Sequence, residues 1–428
     1  MADYTRDDVL KMAEEEDVEF IRLQFTDMFG TLKNIAITAK ELPKALNQEC
    51  VVDCAFIPGV DGAEETDMYL YPDPNTFTIL PWRPQQGKVA RLICDIYRPD
   101  RTPYQLSSRY LLHRTAERAR EQGYSFYVNP ECEFFLFHTD DNGLPTTVSY
   151  EEAGYLDLGP LDFGENARRD MVLTLEDMGY EISSSHHETS PAQHEIDFNG
   201  DIAEKMADQI MTFKLAVRTV AKRHGLHATF MPKPRADGNG SGMHVNMSLF
   251  RYGKNIFADP GDPMGLSREA YYFIGGLLAH SREMAAVTNP LVNSYKRLVP
   301  GYEAPTEISW TKNNQTSLIR VPICRGEETK IELRSPDAAA NPYLVFAACL
   351  AAGLDGIARK IQPEAVGGEE NFPANLRDAV DELEKSEFMK QILGEEFFRE
   401  YICAKRREWE TYTRQVTEWE LKEYLYRI

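Results

Sequence analysis

The chain has 428 residues, 43% hydrophobic and 27% charged, which is enough for a sizeable core in two or three domains. Its formal net charge of −21 excludes nucleic acid and acidic membrane surfaces as partners, while leaving a cation site or a Mg²⁺-nucleotide substrate compatible. The seven cysteines are odd in number and lack a Cys-x-x-Cys pair, the pattern of reduced thiols in a cytoplasm rather than of a disulfide framework or a zinc site. Met1-Ala2-Asp3-Tyr4 opens no signal peptide, and no run approaches the roughly 18 apolar residues of a membrane span.

Thr5 before Arg6-Asp7-Asp8 predicts an N-capped helix to about Glu15. Strands are expected at Val18–Phe25 and Thr31–Thr38 around an Asp27–Gly30 turn, then a short helix at Lys40–Ala45. A loop rich in Gly and Asp follows from Asp53 to Asp67, with further strands at Phe77–Trp82 and Lys88–Ile96. Strands around one or two short helices in about a hundred residues indicate a small α+β domain. Its boundary falls in Arg98–Pro103, so the expected domains are 1–103 and 104–428. Beyond it, helices are predicted at Ser108–Gln122, from a cap at Asp201 to His224, at Arg268–Ala286 and from Asn341-Pro342 to about Lys360. The last fifty residues read as further packed helices.

Asn129–Phe137 is the most informative stretch. Its Phe-Phe-Leu-Phe end marks a buried strand, and strand alternation places Glu131 and Glu133 on one face. The same alternation groups His244, Asn246 and Ser248, sets Glu332 opposite Ile331 and Leu333, and sets Glu195 and Asp197 opposite Ile196 and Phe198. Each is a half-buried strand with one wet face. A solvent face normally carries Lys, Thr and mixed charge. A sheet gathering Glu131, Glu133, Glu188, Glu195 and Glu332 repels itself unless cations bind. Oxygen ligands with a single imidazole suit Mg²⁺ or Mn²⁺ rather than zinc. Gly238–Gly242 allows close backbone approach to a ligand, and Lys296–Pro305 has the composition of a lid.

Together these segments resemble glutamine synthetase of the bacterial and archaeal type I class. The matching pieces are Asn-Pro-Glu131-x-Glu133-Phe-Phe, His186-His187-Glu188 with Gln193-His194-Glu195, Asn239-Gly-Ser-Gly-Met-His244, Arg297–Pro305, and Glu332-Leu-Arg334 leading to Asn341-Pro342-Tyr343. The Glu188–Glu195 spacing is similar to the short form without adenylylation control. The resemblance implies an α+β fold: an N-terminal β-grasp domain, then a catalytic domain whose antiparallel sheet forms a half-barrel flanked by helices. It implies a homododecamer of two stacked hexamers, ATP as co-substrate and at least two divalent ions per site. The implied reaction joins ammonia to the γ-carboxylate of L-glutamate through γ-glutamyl phosphate.

Carried over by position, the resemblance implies Glu133, Glu188 and Glu195 around one ion and Glu131, His244 and Glu332 around the other. It places Arg297, Arg334, Asn239 and Gly240 at glutamate, Ser248 and Phe198 near the nucleotide, and Arg320 at its phosphates. Glu303 would shield the acyl phosphate and help deprotonate ammonium, with Asp53 of a neighbouring subunit as the other ammonium-binding carboxylate. Two positions depart from the family. Asp53-Cys54-Ala55-Phe56 keeps only the Asp of Asp-Gly-Ser-Ser, and Gln315 stands where an arginine is expected. Glutamine carries neither charge nor fork. Losing a charged donor aimed at a developing anion costs about 2.7–4 kcal/mol. Three readings stay open: an ordinary glutamine synthetase, a glutamate–amine ligase whose pocket Phe56 makes less polar, and a weakly active or non-catalytic homologue.

Overall fold

The computed structural model describes residues 4–58, 66–83, 86–312, 316–363 and 371–428. Helix α1 (Arg6–Glu15) begins at a capping box in which Thr5 and Asp8 satisfy each other's backbone N–H groups. Strands β1 (Val18–Thr26) and β2 (Leu32–Thr38) form an antiparallel pair, followed by helix α2 (Leu42–Leu46). Strands β3 (Cys50–Asp53) and β4 (Asp67–Pro72) flank the loop expected between Asp53 and Asp67, and sequence reading did not separate them as strands. The predicted Phe77–Trp82 strand shrinks to β5 (Thr78–Ile79), because Asp73 caps a 3₁₀ turn before it and Trp82 enters a turn after it. With β6 (Lys88–Tyr97) parallel to β1, the described strands make one six-stranded mixed sheet, order β2-β1-β6-β4-β3, with β5 on β6.

Helix α3 (Ser108–Glu121) leads into β7 (Tyr124–His138), the spine of a second sheet. Helix α4 (Glu165–Asp177), β8 (Ile182–His187), β9 (Gln193–Phe198) and β10 (Asp201–Ile202) follow. The expected cap at Asp201 is not formed. Asp201 lies in β10 and its carboxylate takes Lys205, while Ile202 occupies the N-cap of α5 (Ala203–Arg223). Then come β11 (Leu226–Thr229), β12 (Met243–Arg251), β13 (Lys254–Asn255), α6 (Arg268–Thr288), α7 (Ser294–Arg297), β14 (Glu307–Thr311), β15 (Ser317–Arg320) and β16 (Ile331–Leu333). The order β14-β15-β16-β12-β7-β9-β8 gives a curled half-barrel.

Helices α8 (Pro342–Arg359), α9 (Leu376–Glu384), α10 (Glu387–Leu393), α11 (Glu395–Thr413) and α12 (Glu418–Tyr424) complete the chain. Helix α8 has the length and apolar composition of a membrane span, contrary to the expectation that no such stretch exists. Its burial against α3, α5 and α6 marks it as a core helix.

Two devices lock the sheets together. Arg109 of α3, 5% exposed, reaches Asp73 at the end of β4 at 2.7 Å, Asp95 of β6 at 2.8 Å and Asp208 of α5 at 3.0 Å. Burying a guanidinium costs little when three carboxylates surround it. Gly30, at φ +85° in the β1–β2 turn, lies against Asn341, the N-cap of α8; a Cβ there would come within 2.9 Å of the Asn341 Cβ.

Candidate metal and ligand cleft

On β7 the side chains of Cys132 and Phe134 enter the core, so those of Asn129, Glu131 and Glu133 face the concave side. Cross-strand register then builds rows across this face. His244 of β12 stands opposite Glu131, which stands opposite Asp197 of β9. One step along, Glu133 pairs with Glu195, which pairs with His186 of β8. On the other side Arg320 faces Glu332, which faces Asn246. Directly opposed side chains in a sheet lie about 4.5–5.5 Å apart at Cβ, close enough for carboxylates to share a cation.

Except for the more deeply buried Glu332 and Asn246, the rows line a cleft of about 790 Å³ together with Tyr155, Glu188, Asn239, Gly240, Arg297, Glu303 and Arg334. The face is less wet than alternation predicts: Glu332 is fully buried and Glu133, Glu195 and His244 are each below 8% exposed. Among the described residues, two of the donor sets with ligand atoms within 4.8 Å of one another belong to this face: Glu131–His244–Glu332 and His186–Glu188–Glu195. The first is the set expected from sequence. The second differs, since His186 joins Glu188 and Glu195 while Glu133 stands beside them; the cleft therefore carries two imidazoles where one was expected. His186 Nε2 lies 2.8 Å from Glu188 Oε1. Alternation along β8 was the signal that could have found it, because His186 and Glu188 are two residues apart.

Electrostatics shows what the carboxylates lack. Burial and the nearby Glu188 push Glu133 up to about 7, although it accepts from Gly242 N–H at 2.9 Å and from Gln193 Nε2 at 2.7 Å. Burial and Asp197 raise Glu195 well above the carboxylate range. Burial and Arg334 hold His244 well below its ordinary value, which keeps its imidazole neutral. Buried Gln193 Oε1 and Asn246 Oδ1 have no hydrogen-bond donor. Oxygen acceptors without donors, crowded acids and a neutral imidazole are the chemistry of a hard-cation site. The residues present fit a divalent ion.

The anion-binding half is equally tight. Arg334 and Arg320 donate to Glu332 at 2.5 and 2.7 Å. Arg297, 2% exposed, donates to the carbonyls of Ser335 and Arg334. Gly240 and Gly242 are small because of it: a Cβ on Gly242 would meet the Arg297 guanidinium and His244 Nε2, both at 2.8 Å. Glu303 closes the rim, taking Asn239 Nδ2 at 3.0 Å and Thr189 Oγ1 at 3.3 Å.

Three expected site residues lie elsewhere. Phe198 is fully buried, its ring packed against Phe213 and its carbonyl accepting from Asn129 Nδ2. Ser248 donates to Thr329 O at 3.0 Å. Asp53 ends β3 in the other sheet, capping Ala55 N–H at 2.8 Å beside Phe56, which is 93% exposed. Gln315 lies outside the described residues.

A small grasp-type sheet beside a half-barrel whose inner face gathers carboxylates, imidazoles and buried arginines defines a cation-assisted enzyme acting on anionic substrates. The glutamine synthetase catalytic-domain model matches residues 105–424 and the glutamine synthetase beta-grasp model matches 17–99. The chain is 55% identical to a glutamine synthetase of Clostridium saccharobutylicum (99% of both chains covered) and 50% identical to one of Methanosarcina mazei (98% of both). Among solved structures, a Plasmodium falciparum glutamine synthetase superposes with TM-score 0.90 at 25% identity, covering 99% of both chains. A GmaS/ADP complex superposes with TM-score 0.88 at 33% identity, covering 98% of this chain and 99% of the other. The chain belongs to the glutamine synthetase family and is an ATP-dependent ligase.

Proposed function

We propose that the chain joins ammonia to the γ-carboxylate of L-glutamate through γ-glutamyl phosphate, releasing L-glutamine, ADP and phosphate. The observation that carries this reading is the pair of adjacent donor sets, Glu131–His244–Glu332 and His186–Glu188–Glu195, on one face beside Arg297 and Arg334. Glu133 belongs to the second set in this reading, shared through its place opposite Glu195. These side chains would hold two ions, Mg²⁺ or Mn²⁺, which when bound supply charge neutralisation and orientation to the transferring phosphoryl group.

The chain's own residues do the rest. Arg297, Arg334, Asn239 and Gly240 bind glutamate, the arginine forks holding its carboxylates. Arg320 takes the nucleotide phosphates, with Ser248 and Phe198 near the nucleotide. Glu303, on the rim, excludes water from the acyl phosphate and accepts a proton from ammonium. Asp53 reaches the site of the neighbouring subunit in a dodecamer of two stacked hexamers. In this reading the chain divides into 1–103 and 104–428, and acts in the cytoplasm.

Phe56 favours a second reading, ligation of an alkylamine, because it makes the acceptor pocket less polar than a hydroxyl would. Phosphate release from ATP with glutamate and Mg²⁺, supplying ammonium and then a panel of amines, separates the two. Ammonium is expected to be the best acceptor; a preferred amine selects the second reading. No turnover with any acceptor by folded, metal-binding protein overturns both and leaves a non-catalytic homologue. If Gln315 limits the rate, Gln315→Arg raises ammonium-dependent turnover by up to roughly 10²–10³-fold. An unchanged rate clears that position.

A further inference from the structure

Behind the second donor set, on the opposite side of the same two strands, lies a buried cluster that nothing above uses: Glu151, His187, His194, Asp162 and Arg168. Glu151, His187 and His194 come close enough to hold a metal among themselves, but their atoms are already committed. Arg168 places a cation 2.8 Å from His194 Nδ1 and 2.7 Å from Asp162. Glu151 Oε1 accepts from His187 Nε2 at 2.9 Å and from Ala192 N–H at 2.5 Å, and Oε2 accepts from Phe163 N–H at 2.8 Å. The other ring nitrogen of His187 donates to the carbonyl of Glu188 at 2.6 Å.

One carboxylate thus clasps both ends of the turn between β8 and β9. The turn carries Glu188, and it closes through Ala192 at φ +68°, a left-handed backbone that costs an alanine energy and persists only where neighbours hold it. Glu151 Oε1 and the Leu136 N–H, which donates to Ala192 O at 2.9 Å, are those neighbours. Glu151 also anchors the segment that brings Tyr155 and Leu156 to the cleft wall, where Leu156 N–H donates to His187 O at 3.0 Å.

We propose that Glu151 is a positioning residue that, through His187 and Ala192, fixes Glu188 in the orientation the cation site requires. This rests on reading Glu188 as a cation ligand. Groups that orient metal ligands typically contribute 10–100-fold in metal affinity or activity.

The test is Mn²⁺ binding to the full chain by calorimetry and by the electron paramagnetic resonance of free Mn²⁺, beside turnover at saturating metal. Glu151→Ala is expected to weaken Mn²⁺ binding roughly 10–100-fold and to raise the half-saturating metal concentration in step. Turnover at saturating metal is expected to fall much less, and Glu151→Gln, which keeps the shape and one acceptor oxygen, to recover part of the affinity. Wild-type Mn²⁺ affinity in Glu151→Ala, even with a lowered melting temperature, overturns the proposal in favour of a merely structural role. If Glu151→Ala does not fold, Glu151→Gln carries the same comparison, and wild-type affinity there overturns it equally. Glu188→Ala is the control. Unchanged Mn²⁺ binding in that variant removes the reading of Glu188 itself, whereas weakened binding there with wild-type binding in the Glu151 variants removes only the positioning role.

Discussion

Glu332→Ala is expected to cost about 3 kcal/mol of stability, at the lower end of the range for removing one partner of a buried ion pair. Glu332 is fully buried, and its two oxygens take Arg334 at 2.5 Å and Arg320 at 2.7 Å. Removing it takes from Arg334, with 8% of its side chain exposed, the carboxylate it donates to at 2.5 Å. Arg320, about a third exposed, recovers hydration and adds little, which is why the lower end applies. The same substitution takes a carboxylate from the set with Glu131 and His244. Ligase turnover should therefore fall by at least the roughly 10–100-fold that losing a supporting residue costs at a metal site. Denaturant midpoints and phosphate-release rates measure the two losses separately. A wild-type midpoint would show that the Glu332 ion pairs add no net stability, and full turnover would remove Glu332 from the site.

Much of this cleft could be read from local pattern, and the limits follow from how sheets are made. Glu131 and Glu133 were legible because Phe134–Phe137 declared a buried strand and alternation did the rest. His244 and Asn246 were legible for the same reason on β12. What alternation cannot supply is register. Glu131 meets His244 across more than a hundred residues of chain, and Asn246 meets Glu332 across nearly as many. The resemblance supplied that grouping, with Glu133 in the second set; His186, which also lies against Glu188 and Glu195, is what it did not supply. Short strands such as β3 and β4, on either side of a loop, escape notice because four to six residues give too few alternations to stand out from Gly and Asp neighbours. The cap of α5 went to Ile202 because Asp201 was drawn into a two-residue pairing with β7, a tertiary contact that overrides a capping preference. Glu151 was missed because it sits in an irregular segment, where no period marks a buried carboxylate.

The metal-free protein is expected to lose stability as pH rises from about 4.5 to about 7, and divalent ions should reverse that loss. Glu133 carries the argument. Its ordinary value of 4.5 applies in the unfolded chain, while burial first and Glu188 second raise it to about 7 in the fold. The folded state therefore holds a proton that the unfolded state has released throughout that window. Stability from this group is fully present below 4.5, declines as pH rises, and is lost above about 7. At about 1.36 kcal/mol per unit, the difference amounts to about 3 kcal/mol, with 7% exposure leaving little solvent screening to reduce it. Glu195 is shifted in the same direction by burial and Asp197, so it steepens the loss. A divalent ion competes with those protons for the same oxygens, so its binding strengthens as pH rises and releases protons as it occurs. Thermal melts in a chelator between pH 5 and 8 should thus fall with pH, while melts in millimolar Mg²⁺ should stay level or rise. Glu133→Gln, which cannot ionise, should flatten the chelator series while weakening the rescue by Mg²⁺. A chelator series that rises through this window would mean that the carboxylates find their counter-charge within the protein, in Arg297, Arg320 and Arg334, without any ion.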